Sequence, residues 1–161
     1  MFPIGFAVEV DPEFPADGGV VPQRVPEGLL RIGAVLRITP PGSPAWDIAV
    51  GAPNWWRSPS PAAIAVISDG AGYLLDVVER RVLFDIDDVT RVREDHLHDL
   101  LLFATGSGLV AAGANGIVWR DDGFWPDLKV KRIERDVIMC TVLTQDGRDE
   151  IRFDPRDGTR L

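Results

Sequence analysis

LLLFATGSGLVAAGANGIVW, residues Leu100–Trp119, runs for twenty residues without a charge, long enough to cross a bilayer as a helix. Its glycines argue against that. Gly106, Gly108, Gly113 and Gly116 each cost a helix interior about 1 kcal/mol relative to Ala, and Asn115-Gly116 is a strong hairpin signal. The segment reads consistently as strand Leu100–Thr105, turn Gly106-Ser107, strand Gly108–Ala112, turn Asn115-Gly116 and strand Ile117–Arg120. A β-meander follows, and the absence of charge marks strands buried on both faces.

The flanking sequence extends this pattern. Ala62–Ile67, Tyr73–Val78, Val82–Ile86 and Val89–Arg93 are apolar or β-branched runs, separated by Asp69-Gly70-Ala71-Gly72, Glu79-Arg80-Arg81 and Asp87-Asp88. After a loop at Asp121–Asp127 come Leu128–Ile133, Val137–Thr144 and Glu150–Asp154, the last two joined by a turn at Gln145-Asp146-Gly147-Arg148. No window sustains a helical period; Leu97–Phe103 could form one helical turn before the glycines stop it. Eleven of the thirteen prolines fall in residues 1–61, so that third is expected to hold loops, edge strands and wrapping segments. Within it, Phe2–Val10 reads as an edge strand, Leu29–Ile38 as a strand or short helix, and Trp46–Val50 as a short strand. Pro40-Pro41-Gly42-Ser43-Pro44 and Pro53–Pro61 read as loops. The expectation is one all-β domain, 1–161, with a Pro-rich wrapping part at 1–61 and a meander core at 62–161. Its sheets would form an incomplete propeller-like array or a two-sheet sandwich.

A shift of 36 residues lays Gly70-x-Gly72-Tyr73-Leu74 on Gly106-x-Gly108-Leu109-Val110, and Val82-Leu83 on Val118-Trp119. Asp146-Gly147 again joins two strands further on. Such spacing suits propeller blades, although similar strand lengths alone also give matches of this kind. Gly70…Gly72-Tyr73, Leu100–Phe103, Gly116-Ile117-Val118-Trp119-Arg120 and Phe153-Asp154-x4-Thr159 carry a resemblance to a loose group of uncharacterised bacterial β-propeller-like single-domain proteins. It covers about residues 60–161 and implies architecture only. Gly158 before Thr159 departs from the Asp-x-x-Thr-Gly ending of that group.

Composition bounds the function. The net charge is −8, with residues 1–30 carrying five acids, Glu13 and Asp17 among them, against Arg24 alone. Phosphate backbones and anionic lipid surfaces should repel such a chain, which disfavours nucleic-acid and membrane partners. Acids at Glu9, Asp11 and Glu13 stand where a secretion signal would be apolar, and the lone Cys140 has no disulfide partner, so a reducing cytoplasm is expected. Cys140 lies in an apolar strand and reads as a core residue or, less plainly, a reactive thiol.

Three clusters could carry function. Asp95-His96-Leu97-His98-Asp99 would place His96 and His98 on one face of a strand, a spacing that can ligate zinc with Asp85, Asp87 or Asp88 as further ligands; the plain alternative is a polar loop. Trp46, Trp55, Trp56 and Trp125 lie in loop-like segments, with Asn54-Trp55-Trp56-Arg57 the densest patch. Such rings can plug a core, anchor a protein partner or stack on a sugar. Trp119 reads as core. Lys129, Lys131, Arg132 and Arg135 form a basic stripe that protects an edge strand or meets an acidic partner. No G-x-S-x-G, Walker A, C-x-x-C or H-E-x-x-H motif occurs, and no cofactor is implied. The leading expectation is a non-enzymatic protein-binding module, or a homo-oligomer, using Trp55, Trp56, Arg57 and Trp125. The alternatives are a metal site or metal-assisted hydrolase at His96 and His98, and a carbohydrate or small-ligand site at the loop tryptophans.

Overall fold

The computed structural model describes residues 2, 4–11 and 22–161. The remainder, including Pro3 of the expected first strand and the acids Glu13 and Asp17, lie outside the described residues. The chain is all-β, with no helix among the described residues and none long and apolar enough to cross a membrane. It divides into two compact units, Phe2–Ile86 and Asp87–Leu161.

In the first unit, β1 (Ala7–Val10), β2 (Gln23–Arg24), β3 (Ala34–Thr39) and β4 (Trp46–Val50) form a sheet of order β1-β3-β4-β2. Its β2–β4 pair is parallel, a departure from the expected antiparallel meander, while β1 is the edge strand foreseen near the N-terminus. The predicted strand at Leu29–Ile38 begins only at Ala34. The run of prolines after Thr39 ends β3, and the loop turns at Gly42 with φ +71°. A second sheet is the meander β5 (Trp55–Arg57), β6 (Ala63–Ser68), β7 (Ala71–Asp76) and β8 (Arg81–Ile86). Strand β5 corrects the loop expected over Pro53–Pro61: three residues between Pro53 and Pro59 pair with β6 as an edge, where proline costs little.

Alternate residues build the core, as the two-residue period of a strand requires. Ala34, Leu36 and Ile38 of β3 and Trp46, Ile48 and Val50 of β4 meet Ile64 and Val66 of β6, with Leu75, Val77 and Phe6. The two sheets of this unit thus share one apolar layer.

The second unit repeats the plan. Strands β9 (Val89–Asp95), β10 (Leu100–Thr105), β11 (Leu109–Gly113) and β12 (Gly116–Asp121) form one meander; β13 (Lys129–Glu134), β14 (Val137–Thr144) and β15 (Gly147–Phe153) form a three-stranded one. Leu100, Leu102, Ala104, Leu109, Ala111 and Trp119 pack on Leu128, Ile138, Cys140, Val142 and Phe153. The decisive stretch folds into the meander as read, with β10 at Leu100–Thr105 and both β10 and β11 buried throughout, but the edge strand β12 exposes Ile117 and Val118, so burial on both faces holds for the first two strands and not the third. The helical turn considered at Leu97–Phe103 does not form. Thr105 closes the hairpin turn by accepting the Ser107 and Gly108 N–H groups at 3.2 and 2.9 Å. Gly108 is required there because a Cβ would run into the Asp121 carbonyl.

Two of the sheets are alike in plan, though their irregularities fall 37 residues apart and not the 36 of the sequence match. β5–β8 and β9–β12 share one strand order, and the pairing of the third strand with the fourth shifts register between Leu74 and Leu75 in one and Ala111 and Ala112 in the other. The β14–β15 hairpin echoes the β10–β11 hairpin: Thr144 Oγ1 donates to the Gly147 carbonyl as Thr105 Oγ1 does to that of Gly108, both at 3.3 Å.

Candidate functional site

A groove of about 580 Å³ opens in the second unit beside Trp125, Glu150, Ile151, Arg152, Arg160 and Leu161. Its walls follow from local chemistry. Asp121 ends β12 and accepts from the Gly123 N–H at 3.3 Å and the Trp125 Nε1–H at 2.5 Å, drawing the indole back over the loop. Gly123 lies so close beneath that a Cβ would stand 2.5 Å from Nε1. The Arg160 guanidinium sits 5.2 Å from the Trp125 ring centroid and its Nε lies 3.9 Å from Asp121 Oδ1. Trp125 also packs on the core, so the ring is a fixed wall.

The opposite wall is the chain's own return. Asp154 accepts from the Arg156 N–H at 2.9 Å and pairs with the Arg156 guanidinium, which holds its carboxyl down at about 2. Gly158, at φ +72°, then turns the chain against the Trp119 indole, where a Cβ would meet ring carbon at 2.6 Å. That contact explains why glycine stands before Thr159. Trp119 itself is buried as expected; it stacks on Phe153 and donates Nε1–H to the Pro155 carbonyl at 2.8 Å. The tail pairs antiparallel with the end of β15 through Asp154 N–H to Thr159 O (2.8 Å) and Leu161 N–H to Arg152 O (3.1 Å).

Beyond that point the outer edge of β15 is unpaired by any strand among the described residues. Antiparallel alternation sets which groups it presents. Since Arg152 and Asp154 face the tail, the N–H and C=O of Arg148 and Glu150 face outward. The sheet's other edge, β13, is covered differently: Arg93 Nη1 donates to the Val130 and Lys131 carbonyls at 2.7 and 3.1 Å. Of the expected basic stripe, Lys129, Lys131 and Arg132 lie on β13, whereas Arg135 lies in the turn that follows. Lys129 joins Arg148 and Arg91 around Asp127, whose carboxyl is lowered to about 2, first by Arg148 and then by Lys129, while Arg132 pairs with Glu134.

The other candidates are placed differently. Trp55, Trp56 and Arg57 form β5, all half-buried; Trp55 packs on the core and Arg57 Nη1 donates to the Phe2 carbonyl at 3.1 Å. Trp46 is buried, with Nε1–H donated to Val77 O at 3.0 Å. These residues belong to the first unit and Trp125 to the second.

His96 and His98 lie in the turn between β9 and β10, not in a strand, so the strand alternation that would align them is lost. His98 Nδ1 contacts the buried Asp95 Oδ2 at 2.7 Å and Nε2 contacts the Arg135 carbonyl at 2.8 Å, so both ring nitrogens are engaged. Two acceptors on one ring call for the doubly protonated form. Burial works against that charge, but the Arg135 carbonyl and Asp95 outweigh it and the pKa is raised. His96 pairs with Glu94 at 3.0 Å. Of the further ligands considered, Asp85 lies in the first unit and Asp87 and Asp88 in the second. Among the described residues no group of three or more His, Cys, Asp or Glu could hold a metal ion. Cys140 is buried and its thiol is pushed up to about 12 by that burial, the state of a core residue.

No protein-family model matches the sequence, and no curated protein matches it.

Proposed function

We propose that this chain is a non-enzymatic, cytoplasmic protein-binding module that takes its partner in the Trp125 groove, along the outer edge of β15. The supporting observation is the coincidence of a rigid aromatic wall, two arginines and outward backbone groups in one open groove. A packed, half-buried aromatic ring beside arginine is the composition of an interface hot spot, and an open strand edge offers main-chain hydrogen bonds to an extended segment. Trp55, Trp56 and Arg57 are assigned to packing in this reading, since Trp55 belongs to the core and Arg57 ties down Phe2. The propeller-like resemblance fits it as well, because a short meander leaves its last sheet open at the edge.

The test is a titration. A protein recovered with the wild-type chain from its host is purified and titrated against wild type, Arg160→Ala and Leu161→Glu. Binding should weaken by roughly tenfold or more in both variants with unchanged melting, as for loss of an interface anchor. Equal affinity for all three, or no saturable protein partner, a second copy of this chain included, refutes the reading.

A further inference from the structure

We infer that the partner on the β15 edge is a second copy of this chain, paired antiparallel through β15 about a two-fold axis at Asp149; this rests on the protein-binding reading above. Among the described residues, sheets β1-β3-β4-β2, β5–β8 and β9–β12 have four strands, whereas the last has three, its outer edge paired only where the tail meets Phe153. What remains open is residues 147–151, and the outward groups on it belong to Arg148 and Glu150. A strand that presents hydrogen-bonding groups at two residues of opposite charge, on either side of one intervening residue, is complementary to itself. With Asp149 on the axis, Arg148 stands opposite the second copy's Glu150, and Glu150 opposite its Arg148. Each such pair is a hydrogen-bonded one, exchanging both main-chain bonds.

The side chains have capacity for this. Arg152 holds Glu150 through Oε1 alone, at 2.7–2.8 Å, which leaves Oε2 for the incoming guanidinium. Arg148 is held to Asp127 through Nη2, leaving Nε and Nη1 to donate outward. The same register brings the second copy's Gly147 opposite Ile151, the last open position before Leu161 pairs with Arg152, so the second copy's chain turns away at Asp146 beside the tail. An acidic turn thus stands next to Arg152 and Arg160. The neighbouring register, with Glu150 on the axis, would set Glu150 against Glu150 and is disfavoured by like charge. The chosen register has one like-charge pair, Asp149 against Asp149, and that provides a signature.

Sedimentation velocity of the full chain over a wide loading range tests this, with circular dichroism confirming that each variant folds. Wild type should show concentration-dependent dimer. Arg148→Glu or Glu150→Arg alone should weaken the dimer by roughly tenfold or more through like-charge juxtaposition, and the double variant should restore it. Glu150→Pro, which removes an outward N–H and spares the ladder to β14, should abolish it, and Asp149→Asn should tighten it. A wild type that stays monomeric throughout, reversals without effect, or tightening by Glu150→Gln in place of Asp149→Asn overturns the inference. If a different protein occupies the groove while the chain stays monomeric, this inference fails and the protein-binding reading stands.

Discussion

Replacing His98 with alanine should remove a charged clasp whose loss depends on pH. The imidazole joins the β9–β10 turn, through Asp95, to the Arg135 carbonyl at the β13–β14 turn. Asp95 is 1% exposed and would keep only the Leu97 and His98 N–H groups, at 3.0 and 3.3 Å on Oδ1. Removing one partner of a fully buried ion pair costs about 3–5 kcal/mol; the remaining donors and the partial exposure of His98 reduce that to ~2–3 kcal/mol. The sign of the pH dependence follows from the raised pKa. Burial opposes protonation, but Arg135 O and Asp95 prevail, with Asp136 adding negative charge and Asp154 also in electrostatic reach. A histidine raised above its ordinary 6.5 contributes stability that is complete below that value and fades as pH rises through the folded pKa. Urea denaturation of wild type and His98→Ala between about pH 5.5 and 9 reads this directly. The gap between the two should be widest at the acid end and narrow toward the alkaline end. A constant gap across the range, or one widening with pH, would refute the assignment of a protonated clasp.

Gly158→Ala should cost roughly 2 kcal/mol or more, because the residue is left-handed and its Cβ would enter the Trp119 ring; thermal melting checks it, and an unchanged midpoint contradicts the packing described. Gly108→Ala should be more damaging still, since the obstruction there is the Asp121 backbone; recovery of normally folded protein would contradict it. Native Cys140 should stay unreactive toward a thiol reagent at mildly alkaline pH and react only on unfolding, as its burial and raised pKa require.

Much of the fold was legible because period-two apolarity and glycine turns are local signals. Leu100–Thr105 and Val137–Thr144 have the predicted bounds, and the β6–β7 and β14–β15 hairpins turn within the predicted stretches, at Asp69-Gly70 and Gln145-Asp146, although Ala71, Gly72, Gly147, Arg148 and Asp149, expected outside the strands, belong to β7 and β15. Strand β5 was hidden because three residues between prolines carry no period, and the β2–β4 parallel pair because two-residue pairing has no sequence signature. The site was less legible. Trp125 stood out as a loop tryptophan, but its partners Asp121 and Arg160 depend on a C-terminal return fixed by Asp154 and Gly158. The histidine pair misled because the strand ends at Asp95, whose carboxylate caps the turn instead of extending it. The open edge of β15 follows only from strand order, and strand order is a tertiary fact.

The most direct test of the groove as a binding face is amide hydrogen exchange, residue by residue, in the free chain and with its protein partner bound. The amides of Arg148 and Glu150 should exchange quickly when free and become protected on binding, while those of Trp55–Arg57 stay unchanged. Protection at β5 with β15 unaltered would contradict the account.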